Sequence, residues 1–231
     1  MDFGKVETLW RYPVKSLIGE RLSHLNIDTR GVCGDRAYAI SDLDGKLGSG
    51  KNSRRFTRLD GLSSLSAETV DDGVLIKFPD GIVLTSRDQS INKKLSQVLG
   101  QTVTLTKESE TPHFDDGAVH ILTTGSLSLL DELLPDSGID PRRFRPNIVV
   151  DSQCLDQDMV GKAIRIGGTT LEITHKTQRC RMVTIAQQDL ESRPEILGTV
   201  SKSFGLDFGV YARVLSIGSV SIGDRVEVIQ Q

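Results

Sequence analysis

The sequence predicts a mostly β fold with a few helices, an α+β chain of β-barrel type laid out in two sections. Short apolar or alternating runs, bounded by glycine, proline and aspartate, recur along the 231 residues. Only two or three segments show helical spacing. Strands and helices do not alternate as βαβ units, which argues against a doubly wound parallel sheet.

Residues 6–12 read as the first strand, and Pro13 keeps Tyr12 extended and bars a helix there. Residues 22–28 alternate apolar and polar and form the second; 36–41 form the third. Asp42-Leu43-Asp44-Gly45 is a turn, and 47–55 is a loop of Gly, Ser, Lys and Arg. Pro79-Asp80-Gly81 joins 74–78 to 82–85 as a hairpin. Ile91, Leu95, Val98 and Leu99 predict a helix over 88–99, stopped by Gly100, and 103–106 is again a strand. The acidic stretch 108–117 reads as a linker, dividing the chain into 1–107 and 118–231.

Beyond it, 119–122 is a strand and 127–134 a helix capped by Thr124 or Ser126. Residues 148–151 are a strand, and 162–166 with 170–174 form a hairpin over Gly167-Gly168. Residues 181–185 read as a strand and 190–198 as a short helix containing Pro194. Strands 210–216, 219–222 and 225–229 close the chain.

Composition limits the function. A formal net charge of -3 gives no electrostatic support for a nucleic-acid partner. No apolar run approaches the roughly 20 residues that cross a bilayer, so no membrane partner is expected. The N-terminus lacks a basic and then apolar targeting segment. Cys33, Cys154 and Cys180 lie far apart, without the C-x-x-C pair of a zinc knuckle or iron–sulfur site. A sparse, odd cysteine count fits a reducing cytoplasm, the expected location.

Four segments concentrate cations and hydroxyls at strand ends. Lys15 and Ser16, after Tyr12-Pro13-Val14, pair a point charge with a donor, a workable phosphate grip if the chain turns after Pro13. Arg36 opens a strand from the Gly34-Asp35 turn. The stretch 48–58 carries Lys51, Arg54, Arg55 and Arg58; it lacks the glycine spacing and the following Ser or Thr of a Walker A loop. Arg142-Arg143-Phe144-Arg145-Pro146-Asn147 stands before an apolar strand, where an Arg fork suits phosphate or carboxylate and Asn147 suits a heterocycle edge.

Cys180 sits between Arg179 and Arg181. A thiolate is the useful form of cysteine as nucleophile or metal ligand, and nearby cations favour it. On a regular strand Gln178, Cys180 and Met182 share a face while both arginines point away. The alternative is a buried structural cysteine. One cysteine together with separated Lys, Arg and Asn groups suggests a pocket for an anionic cofactor whose other end meets a thiolate.

These strings, Tyr12-Pro-Val-Lys-Ser16, Gly34-Asp-Arg-Ala37, Arg143-Phe-Arg-Pro-Asn-Ile148 and Arg179-Cys180, resemble the MOSC proteins, including the mitochondrial amidoxime-reducing component and its bacterial counterparts. The resemblance implies an N-terminal β-barrel domain followed by a MOSC β-barrel domain, and molybdenum cofactor as the ligand. It implies that Cys180 ligates molybdenum as the catalytic centre and that Lys15, Ser16 and Arg36 hold the phosphate end. Arg145 and Asn147 would face the pterin, with Thr123, Thr124 and Ser126 as weaker contacts. It further implies reduction of N-hydroxylated or N-oxide small molecules, with electrons from a separate flavin or iron–sulfur protein. The alternative it carries is sulfur transfer through a Cys180 persulfide, or cofactor carriage. Pyridoxal phosphate enters only as a family-level association. Gln178 and Arg181 depart from the small or apolar neighbours usual beside this cysteine in reducing members.

Overall fold

The computed structural model describes residues 2–229. Strands dominate, as the sequence predicts, and three α-helices accompany them: α1 (Ile91–Leu99), α2 (Thr124–Leu133) and α3 (Glu195–Phe204). The centre is a closed seven-stranded barrel. Its strands run in the order Ile148–Asp151, Val119–Thr123, Asp207–Ser216, Thr169–Gln178, Ala163–Ile166, Arg225–Ile229 and Asp2–Arg11. Asp2–Arg11 pairs back onto Ile148–Asp151, with Leu9 opposite Ile148, and so closes the ring. Closure leaves no free edge among these seven. One pairing is parallel, Val119–Thr123 with Ile148–Asp151. Parallel neighbours need a crossover; α2 and the 3-10 turn Pro141–Phe144 supply it. Inside the barrel Leu9, Ile121, Ile148, Ile173 and Val210 are fully buried.

The N-terminal section adds a four-stranded sheet ordered Thr104–Lys107, Tyr38–Ser41, Leu47–Ser49 and Phe56–Arg58. A three-stranded sheet, Val83–Thr85, Gly73–Lys77 and Ser66–Val70, stands beside it. Val14, Leu17, Ile40, Leu65, Ile76 and Leu95 form a second core between these sheets and α1. A third core joins α2 and α3 through Leu130, Ile196, Val200, Phe144 and Phe208. The two sections share strands: His24–Asp28 pairs with Gly218–Ser221, and Asp2–Arg11 belongs to the barrel.

Both expected hairpins form, turning at Gly81 (φ 81°) and Gly167 (φ 54°), and α1 stops at Gly100 in the left-handed region. Other expectations need correction. The stretch 22–28 splits into Glu20–Leu22 on the barrel and His24–Asp28 on the small sheet. Part of the expected loop 47–55 is the strand Leu47–Ser49, parallel to Phe56–Arg58. Thr123, not Thr124 or Ser126, caps α2, its Oγ1 accepting from the Ser126 N–H at 3.2 Å. Pro194 precedes α3 instead of lying inside a helix, because its ring fits before the first turn and not within one. Arg181–Thr184 is a 3-10 turn, not a strand. The Thr184 hydroxyl donates to the Arg181 carbonyl at 2.8 Å and offers the backbone an alternative to a ladder.

Candidate functional site

Three loop residues at the seam of the two sections share an unusual backbone. Ser16 (φ 66°), Arg36 (φ 50°) and Arg145 (φ 56°) are three of the five described non-glycine residues at positive φ. Such conformations cost on the order of 1–3 kcal/mol each and persist where the surroundings enforce them, often at functional sites. Here the enforcement is visible. The Arg36 N–H donates to the Tyr12 carbonyl at 2.7 Å, and the Tyr12 N–H donates to Asp35 Oδ1 at 2.8 Å. Ser16 Oγ donates to the Gly48 carbonyl at 3.0 Å. Arg145 ends the Pro141–Phe144 turn, its N–H bonded to the Arg142 carbonyl at 3.1 Å. Pro13 supplies the turn that brings Lys15 and Ser16 to one side.

These loops surround a cleft of about 860 Å³ that holds Lys15, Ser16, Arg36, Arg145 and Cys180 together. Its charge is positive: Lys51, Arg143 and Arg179 also line it, against the lining carboxylate of Asp115 and the buried Asp35 that pairs with Arg36. The Tyr12 ring lies under two of the cations, 4.2 Å from the Arg145 guanidinium and 4.9 Å from that of Arg36. Lys15 is 3% exposed and pairs with Asp115 at 2.8 Å. Burial outweighs that partner and pushes the Lys15 ammonium down to about 8. Burial also brings Arg145 down to about 10, with the Arg36 charge adding to it. Cations forced this close without enough carboxylate attract an anion.

Arg179 corrects the alternation argument. Thr169–Gln178 ends one residue before it, so it does not turn away from the face of Cys180. Its guanidinium runs inward, donating to the Phe208 carbonyl at 2.5 Å, the Phe144 carbonyl at 3.1 Å and His120 Nε2 at 2.5 Å. Burial lowers Arg179 to about 10. Burial and the Arg179 charge hold His120 well below the usual imidazole range. His120 is therefore neutral, with Nε2 accepting from Arg179 and Nδ1–H donating to the Arg145 carbonyl at 3.2 Å. It positions Arg145 and Arg179 and does not offer an imidazolium proton.

Four of the expected contacts stand elsewhere. Asn147 is fully buried behind Arg36. Its Oδ1 accepts from the His120 N–H at 3.0 Å and its Nδ2 donates to the Trp10 carbonyl at 3.3 Å, so its amide is consumed by the barrel. Thr123 caps α2, Thr124 Oγ1 donates to the Ser152 carbonyl at 3.1 Å, and Ser126 Oγ accepts from the Asp156 N–H at 2.9 Å. These three do not reach the Cys180 cleft. Sequence reasoning missed Arg179, Asp115 and Tyr211 as cleft residues; only Arg179 carried a signal, its place beside Cys180.

The remaining donors fit the implied cofactor. Arg145 Nη2 and Thr177 Oγ1, both on cleft-lining residues, are buried without a hydrogen-bond partner. Buried groups of this kind normally find one, and neither finds one within the protein. Among the described residues no group of three or more His, Cys, Asp or Glu side chains stands ready to hold a metal. A metal at the free, half-buried Cys180 thiol must bring its other donors along, as a dithiolene does.

Over 71 residues, 30% of this chain, the sequence is 37% identical to the molybdenum cofactor sulfurase of Drosophila yakuba. Over 92 residues, 37% of this chain, it is 34% identical to that of Drosophila ananassae. The matches cover 9% and 12% of those proteins, so the chain spans only a small part of their length. The fold is shared with the YuaD protein of Bacillus subtilis, at TM-score 0.57 and 15% identity, over 97% of this chain and 94% of that one. The MOSC domain model matches residues 103–227, and that of the MOSC N-terminal beta barrel domain matches residues 3–120. The chain belongs to the MOSC domain family, with the N-terminal β-barrel domain preceding the MOSC domain.

Proposed function

We propose that this protein binds molybdenum cofactor in the cleft and reduces N-hydroxylated or N-oxide compounds with electrons from a separate flavin or iron–sulfur protein. The observation that carries the reading is the meeting of Cys180 with Lys15, Ser16, Arg36 and Arg145 on one cationic cleft. Lys15, Ser16 and Arg36 receive the phosphate end, and the unpartnered Arg145 Nη2 faces the pterin. Cys180 offers a soft sulfur to the metal. When bound, the cofactor supplies two-electron redox chemistry, with the substrate oxygen leaving as water and amine or amidine as the product. Asp115 keeps Lys15 paired until the anion arrives, and His120 fixes Arg145 and Arg179.

A second reading, sulfur transfer through a Cys180 persulfide or carriage of the cofactor, is favoured by the name of the relatives, molybdenum cofactor sulfurase. The two separate in one experiment. Protein from a cofactor-competent host is assayed with benzamidoxime and reduced methyl viologen, and intact mass is measured on Cys180. Turnover to benzamidine that disappears in Cys180→Ser supports the reductase. A persulfide on Cys180 without turnover supports sulfur transfer.

A further inference from the structure

A second hollow, of about 660 Å³, lies beside the cleft. Leu59 and Leu62, 4% and 3% exposed, give it an apolar floor together with Ile185 and Ala186. Met182 lines both the hollow and the Cys180 cleft, so its side chain forms part of the partition between them. Gly50 makes room for that side chain; a Cβ there would run into Met182 Sδ. The 3-10 turn that replaces the expected strand after Cys180 sets this arrangement. It places Met182 in the wall and Arg181 on the far hollow.

The charges at the rim leave one cation free. Arg58 grips Asp60 with two bonds, Nε at 3.0 Å and Nη2 at 3.1 Å. Among the described residues the Arg181 guanidinium has no hydrogen-bond or ion-pair partner; its charge only contributes to holding the Asp60 carboxyl below its usual range. An apolar floor, a free arginine fork and a flexible thioether wall toward the reacting cysteine describe an amphipathic guest.

We infer that this hollow holds the non-reacting part of the substrate, a small molecule with an apolar body and a carboxylate. The carboxylate pairs with Arg181, the body lies on Leu59 and Leu62, and the N–O group passes Met182 to reach the Cys180 side. The inference rests on the reductase reading and names its substrate class. Arg181 becomes the specificity residue.

The test uses 4-carboxybenzamidoxime against neutral benzamidoxime, with KM from turnover and, independently of activity, Kd from calorimetry with 4-carboxybenzamide and benzamide. The expected result is a preference of about fivefold for the carboxylated member of each pair, as a partly exposed charge pair allows. Arg181→Gln abolishes that preference while molybdenum content stays at the wild-type level, and Met182→Trp raises KM for both amidoximes. Turnover with equal KM for both amidoximes, or an unchanged preference in Arg181→Gln, overturns the inference and leaves the reductase standing. Arg181-dependent binding of 4-carboxybenzamide without turnover of either amidoxime keeps the site and overturns the reductase.

Discussion

Lys15 keeps its ammonium almost wholly beneath the surface, and that sets a pH dependence. Its pKa, lowered by burial to about 8, means the charge is present below pH 8 and lost as the pH rises through it. An exposed lysine would keep its charge to about 10.4. Affinity for inorganic sulfate, which does not titrate in this range, should therefore fall about tenfold between pH 7 and 9.5. Calorimetry at both pH values checks this; a flat profile, or one that Lys15→Met leaves unaltered, would contradict it. At this scale the candidate site was partly legible. Lys15, Ser16, Arg36, Arg145 and Cys180 stand out because several cations and one thiol recur at strand ends along the chain. Asn147 looks the same in sequence, but its amide is spent on Trp10 and His120. Arg179 leaves the face that regular alternation gives it, because alternation holds only as far as the strand runs.

Among the elements, those with local punctuation were the legible ones. Pro79-Asp80-Gly81, Gly167-Gly168 and Gly100 fix their turns through backbone conformations that few residues adopt. The turn Arg181–Thr184 rests on a hydroxyl-to-carbonyl bond, and the start of α2 on a carboxylate arriving from afar, neither of which periodicity records. Asp156 shows how. Its Oδ1 accepts from the Thr123 N–H at 2.6 Å and its Oδ2 from the Gly209 N–H at 3.0 Å, joining α2 to the barrel strand Asp207–Ser216. Burial pushes its carboxyl up to about 6. Asp156→Ala leaves both buried N–H groups without an acceptor, and should destabilise the protein by about 2–4 kcal/mol. The urea midpoint measures it; an unchanged midpoint would sink this account of the α2 connection.

For the molecule as a whole, the β-barrel type that the sequence predicts is what the chain adopts, but the sequence does not say which strand closes it. Nothing in residues 2–11 says that this strand seals the ring between Ile148–Asp151 and Arg225–Ile229. That pairing is long-range and depends on which strand edges remain open once the others have formed. Closure has a consequence for the site. The chain leaves the barrel at Arg11 and turns through Tyr12 and Pro13 directly into Lys15 and Ser16, while Arg145 ends the turn before Ile148–Asp151 and Cys180 follows the end of the strand Thr169–Gln178. The barrel thus fixes the thiol and the anion-binding groups relative to one another.

Molybdenum per chain, measured by mass spectrometry on protein from a molybdate-fed, cofactor-competent host, tests this most directly. The wild type should carry close to one molybdenum, and Cys180→Ala should lose most of it while keeping the wild-type circular dichroism. An absence of molybdenum from the wild type, or equal loading of the two proteins, would contradict the assignment of Cys180 as the metal's anchor.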